Sequence, residues 1–219
     1  MRNTRDAEQV LRIDGRGAFV EVTTSGLPID KIYFGFVQYN KSAEKGSRTS
    51  GNIKIYMNIL EAQVLARDIM SGRLAGLKMK ELKRMQKAGE KYANPVYSKQ
   101  GGTPAASNNG QAIARLFEIT PGSSQPWILC AKQGKAHETS EGLIVMEGKP
   151  ETTIRVPCSD IALKQLALAI EAAVMTWVQL RFVPAAAPAM QVAAEKRKEA
   201  IDKAKADSAF RAMENAGRV

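Results

Sequence analysis

The sequence predicts an α+β fold: two repeated units of about four antiparallel strands plus one helix (ββββα twice), with an extra C-terminal helix. Three observations predict it. Short runs rich in β-branched and aromatic residues alternate with Gly, Ser and Pro signals, the mark of antiparallel strands. Two amphipathic helical runs each follow such a series directly. The two strand-to-helix junctions also fall into register without a gap when the chain is slid by 101 positions.

In chain order, LRIDG, AFVEVTT and KIYFGFVQY are three strand candidates, and the stretch from Asn52 to Asn58 is the fourth. The first helix follows at once. Its Ala62, Leu65, Ala66 and Ile69 recur at i, i+3, i+4 and i+7, one face of a helix. In the second half AIARLFEIT, PWILCAK and GLIVMEG precede a strand starting at Ile154, and Leu163, Leu166, Ala167 and Ile170 repeat the helical face. That helix continues through Val174 and Trp177 until Pro184 stops it.

The repeat has physical content. Ile53-Lys54-Ile55 meets Ile154-Arg155-Val156, so both strands alternate apolar and basic residues, the period of a half-buried strand. Asn58 meets Ser159, both good N-cap residues, just before each helical pattern begins. Residues 1–77 form the first repeat on this reading and 112–183 the second. Between them, 78–111 reads as a basic, flexible linker: seven basic residues stand against two acidic ones from Lys78 to Lys99, and SKQGGTPAASNNGQ follows. Residues 184–219 read as an Ala/Pro linker and a charged C-terminal helix.

Of 219 residues, 44% are apolar, enough for a sizeable core. Lys plus Arg number 32 against 22 acidic residues, giving +10 and a pI near 9.7, which favours a polyanionic partner. The N-terminal residues are polar from the start, unlike a signal peptide. The apolar run from Ile161 is broken by Lys164, Gln165, Glu171, Gln179 and Arg181, as in a buried amphipathic helix rather than a membrane span. The expected setting is the cytoplasm, with no membrane partner.

Catalytic chemistry finds little support. The one histidine, His137, sits in a polar stretch, so no Ser-His-Asp set can be built without it. Neither GxxxxGK[ST] nor GxGxxG occurs, no carboxylate run has metal-ligand spacing, and Cys130 and Cys158 are not in CxxC spacing. The expectation is a non-enzyme with no catalytic residue, no metal and no cofactor; whether the two cysteines pair stays open.

A binding surface is better supported. Alternation puts Ile32, Phe34 and Phe36 on one face of the third strand, and Tyr33 and Tyr39 on the other. In the fourth strand Ile53, Ile55 and Met57 oppose Lys54 and Tyr56. Burying the Ile/Phe/Met face under the helix leaves Tyr33, Tyr39, Lys54 and Tyr56 on an open sheet. Tyrosine rings can stack on bases while Lys and Arg neutralise phosphates, the chemistry of single-strand binding. Lys41, Lys45 and Arg48 lie in the connection between these strands, as a solvated hairpin loop or a basic finger. Trp127, Lys132, Lys135, Lys149 and Arg155 are the second half's counterparts, with core packing as the competing reading for the tyrosines and for Trp127.

Two units of four strands plus one helix, with aromatic and basic residues on the sheets, resemble the Whirly and PUR-alpha type single-stranded-DNA-binding proteins, which share a fold with the transcriptional positive cofactor four. The resemblance covers residues 10–75 and 112–182 and is one of architecture; Gly134-Lys135-Ala136 is similar to the Gly-Lys-Ala of a Whirly strand motif. It implies sequence-tolerant binding of single-stranded DNA in replication, recombination or transcription, and a homo-oligomer is a further expectation. Two readings compete. One is a non-enzymatic assembly protein of a phage, plasmid or other mobile element; the other is an RNA-binding protein.

Overall fold

The computed structural model describes residues 8–44 and 47–182. It is α+β, with one antiparallel sheet of four strands, a second of five, and helices. The first sheet has β1 (Gln9–Asp14), β2 (Ala18–Thr23), β3 (Lys31–Tyr39) and β4 (Thr49–Asn58) in sequence order. Its register aligns Val20 with Phe36 and Phe36 with Ile53, and Val22 with Phe34 and Phe34 with Ile55. These side chains form one buried face, as period-two alternation requires. Each large apolar group withdrawn from water there contributes about 1.5–3 kcal/mol.

β4 runs straight into α1 (Ile59–Met70), because Asn58 stops the strand and caps the helix: its side-chain oxygen accepts from the Leu60 N–H at 3.1 Å. The turn at Gly72 (φ 79°) then sends the chain into α2 (Arg73–Ala88). The second sheet has β5 (Tyr97–Thr103), β6 (Ala112–Pro121), β7 (Trp127–Glu138), β8 (Ile144–Met146) and β9 (Thr152–Cys158). Strands β8 and β9 follow each other along one edge of β7, β9 against residues 127–133 and β8 against 136–138. They act as a single broken fourth strand, so both sheets run strand by strand into a helix. The second helix, α3 (Asp160–Arg181), opens with Ser159 Oγ accepting from the Ala162 N–H at 3.1 Å, the counterpart of Asn58.

Residues up to Val174 make one compact unit. Phe117 of β6 lies 5.6 Å from Phe34, 5.7 Å from Phe36 and 5.9 Å from Tyr97, ring centre to ring centre, so one aromatic cluster joins the two sheets. Helices α1 and α3 are tied by Arg67 and Glu171 at 3.1 Å. By length and composition α3 could cross a membrane; core helices of folded proteins pass the same test, and its Leu163, Leu166, Ala167 and Ile170 are buried. A second unit begins at Met175; in its described part, to residue 182, Trp177 and Phe182 meet edge to face at 5.2 Å.

The segment expected to be a flexible linker is the main correction. Residues 73–88 form α2, whose Leu74 is buried, and Tyr97–Thr103 form β5, paired residue for residue with β6. Leu, Met, Lys and Glu are strong helix formers, so the charge of α2 decorates a helix rather than dissolving one. The β5 strand is held by its backbone ladder more than by apolar side chains. The expected charged helix in 184–219 lies outside the described residues.

Candidate nucleic-acid interface

The face of the first sheet opposite its apolar core carries Arg12, Phe19, Tyr33, Tyr39, Lys54 and Tyr56, set there by the strand register. They form two groups. In one, the Arg12 guanidinium sits 3.7 Å over the Phe19 ring and donates to Asp14 at 2.7 and 2.9 Å. Phe19 lies 5.9 Å from Tyr39, and the Lys41 ammonium 5.9 Å from the Tyr39 ring.

In the other group Tyr33 and Tyr56 face each other across β3 and β4 at 5.2 Å, tilted by 39°. Their exposures differ sharply: Tyr56 is 47% exposed and Tyr33 only 9%. The cause is Gly35. A Cβ there would lie 3.0 Å from the Tyr33 hydroxyl and 2.9 Å from Glu21 Oε1, so glycine lets the Tyr33 side chain lie along its own strand. Tyr33 thus backs Tyr56 rather than offering a ring to solvent.

Beside Tyr56, the edge of the first sheet meets β5 and β6 of the second. A pocket of about 180 Å³ opens there, lined by Lys54, Tyr56, Lys99, Gly101, Thr103 and Arg115 among others. Arg115 is half-buried on the same face of β6 as Phe117 and Ile119. Its Nε donates to Gln133 Oε1 at 3.0 Å and one terminal nitrogen donates to Thr103 Oγ1 at 2.7 Å. Desolvation by burial pulls its pKa below the usual arginine value, while the nearby Tyr56 acts the other way. Lys99 is held by Glu61.

The remaining residues expected at a binding surface do not converge. Trp127 is 2% exposed; its indole N–H donates to Asp160 at 2.6 Å and the Lys78 ammonium lies 4.5 Å over its ring, so it is a core residue. Lys132 is paired at 2.7 Å with the buried Glu118 on the outer face of the second sheet, where Arg155 is exposed. Lys135 follows the facing of Trp127 along β7 and is exposed beyond the core, and Lys149 is exposed between β8 and β9. Lys41 and Arg48 are exposed, and the Arg48 Nε closes the β3–β4 connection by donating to the Ala43 carbonyl at 3.1 Å. Lys45 lies outside the described residues.

Sequence reasoning missed Arg12, Phe19 and Arg115. Alternation in AFVEVT would have found Phe19, because Ala18, Val20 and Val22 claim the other face. Arg115 announced itself as a lone cation in the row Ile113, Arg115, Phe117, Ile119. Among the described residues no group of three His, Cys, Asp or Glu side chains could hold a metal. Cys130 and Cys158 are free and buried on opposite faces of the second sheet, which answers the pairing question.

No protein-family model matches the chain, and neither does any curated protein. Among solved structures, the crystal structure of WHY1 from Arabidopsis thaliana is similar to 84% of this chain and 91% of its own, at 10% identity and a TM-score of 0.44.

Proposed function

We propose that the protein binds single-stranded nucleic acid, DNA in preference to RNA and with little sequence specificity, across the open face of the first sheet. The observation that carries this reading is the exposed Tyr56 ring, backed by Tyr33 and flanked by Lys54 and Arg115. A base can stack on the ring while the cations meet the backbone, and every base has a face to stack, so the mode tolerates sequence. The Arg12–Phe19–Tyr39–Lys41 group gives a second aromatic and basic contact further along the same sheet. The role is binding rather than catalysis, in the cytoplasm and in service of replication, recombination or transcription. The test is fluorescence anisotropy with a labelled oligothymidylate at two salt concentrations, against duplex DNA and oligouridylate competitors. Tight, salt-sensitive binding displaced least by duplex is expected; equal competition by duplex would overturn the reading.

A second reading, an assembly protein that self-associates or docks a partner, draws on exposed apolar side chains of the helices: Leu60 and Val64 on α1, Ile161 and Leu168 on α3. Sedimentation of the protein without nucleic acid tests it; a concentration-independent monomer would count against it.

A further inference from the structure

We propose that the pocket between β4, β5 and β6 is a phosphate site, in which Arg115 and Lys54 hold one phosphate group of the strand whose base lies on Tyr56. This rests on the single-strand reading of the first sheet and adds an anchor at its edge.

The first argument is the charge on Arg115. An arginine stays protonated even when partly desolvated, and a buried cation is costly unless an anion meets it. Arg115 is half-buried, yet among the described residues it forms no ion pair with a carboxylate. Lys54 likewise has no acidic partner there, whereas Lys99, on the same pocket wall, is already claimed by Glu61. The half-buried charge of Arg115 calls for a ligand with negative charge, and the exposed Lys54 at the mouth of the recess adds to its positive field.

The second argument is orientation. A guanidinium has five N–H donors. Thr103 and Gln133 take two of them, fixing the plane of the group and leaving donors free. A fork held in this way suits the oxygens of a phosphate.

The third argument is a contrast between neighbouring glycines. A Cβ at Gly102 would come within 2.5 Å of the Ile113 carbonyl oxygen and 2.6 Å of the Ile144 side chain, so packing demands a glycine. A Cβ at Gly101, the cross-strand partner of Arg115, would meet nothing within 4 Å. The fold does not require a glycine at 101, and the missing side chain there leaves the recess in front of Arg115 open. At about 180 Å³ the recess is also smaller than the roughly 300–1,000 Å³ of ordinary small-molecule sites. It suits one phosphate with the base left outside on Tyr56.

Gly101→Val fills the recess with a residue that strands favour and leaves Arg115 in place. Two measurements follow on the full chain. Inorganic phosphate, titrated while the Arg115 Nε–H resonance is followed, is expected to shift that signal in the parent and not in Gly101→Val. For oligothymidylate, Gly101→Val is expected to weaken binding about tenfold, the scale of one charge-assisted contact. The slope of log affinity against log salt should flatten by about 0.7. Arg115→Gln supplies the oligonucleotide comparison, in affinity and salt slope, should the valine loosen β5. A phosphate-insensitive Arg115 signal, with parent and variants binding the oligonucleotide alike, overturns the site and leaves the single-strand reading intact. A phosphate response without oligonucleotide binding keeps the site and overturns that reading. Failure of both measurements removes both.

Discussion

Tyr33 and Tyr56 form a cross-strand pair 5.2 Å apart in which one ring is shielded and the other is open to solvent. The two substitutions therefore separate. Tyr56→Ala is expected to weaken oligothymidylate binding by about 1–3 kcal/mol with little change in stability, and Tyr56→Phe to bind nearly like the parent, because the ring stacks and the hydroxyl does not. Tyr33→Ala is expected to lower the melting temperature, since it removes a buried ring. Anisotropy and thermal melts on the three variants decide the matter; equal binding by Tyr56→Ala would place the strand elsewhere.

Gly35 sets the height of that pair. Gly35→Ala puts a methyl group about where the Tyr33 hydroxyl and Glu21 already lie. Overpacking of this kind costs typically 1–3 kcal/mol, and Tyr33 must lift from the strand. The expected result is a lower urea midpoint together with weaker oligonucleotide binding, although residue 35 itself carries no binding group.

Trp127 should behave in the opposite way. Trp127→Phe removes the N–H that Asp160 accepts and is expected to cost about 1–2 kcal/mol of stability. Oligonucleotide affinity, measured on the folded fraction, should stay unchanged. A binding loss without a stability loss would return this residue to the interface.

Acid should loosen the end of α2 in a defined window. Hydrogen bonds from Arg84 and from the Asn94 N–H hold the Glu81 carboxyl at about 2, below its ordinary 4.5. A depressed carboxyl contributes stability that is present above its unfolded value and lost as pH falls through the folded one. The contribution should be complete above about pH 4.5 and fade toward pH 2. Its partner Arg84 is exposed to solvent, so the effect is local. Exchange of the Asn94 amide is expected to accelerate across that window, and Glu81→Gln to remove the pH dependence.

Much of this arrangement is legible in the amino-acid sequence. Asn58 and Ser159 announced both helix starts because capping is local chemistry. Ile32, Phe34 and Phe36 announced a buried face because side chains alternate along a strand. What was illegible depends on partners distant in sequence. The β5 strand carries Gly-Gly and polar side chains, and only its pairing with β6 makes it a strand. For α2 the lysines masked a leucine and methionine stripe. Arg115 and Tyr56 are 59 positions apart and meet because the edge of one sheet abuts the next. The burial of Tyr33 hangs on one missing Cβ at its neighbour but one.

Phe117 has a consequence for how the chain can be divided. It belongs to the second repeat, yet two of its three ring partners, Phe34 and Phe36, belong to the first. A fragment ending near residue 77 would expose those two rings to water, and one starting near 112 would expose Phe117 and lack β5. Neither repeat is then a viable product when expressed alone, despite the internal symmetry. The intact chain is expected to melt in one calorimetric transition whose van't Hoff and calorimetric enthalpies agree, so that damage to either sheet is felt as loss of the whole.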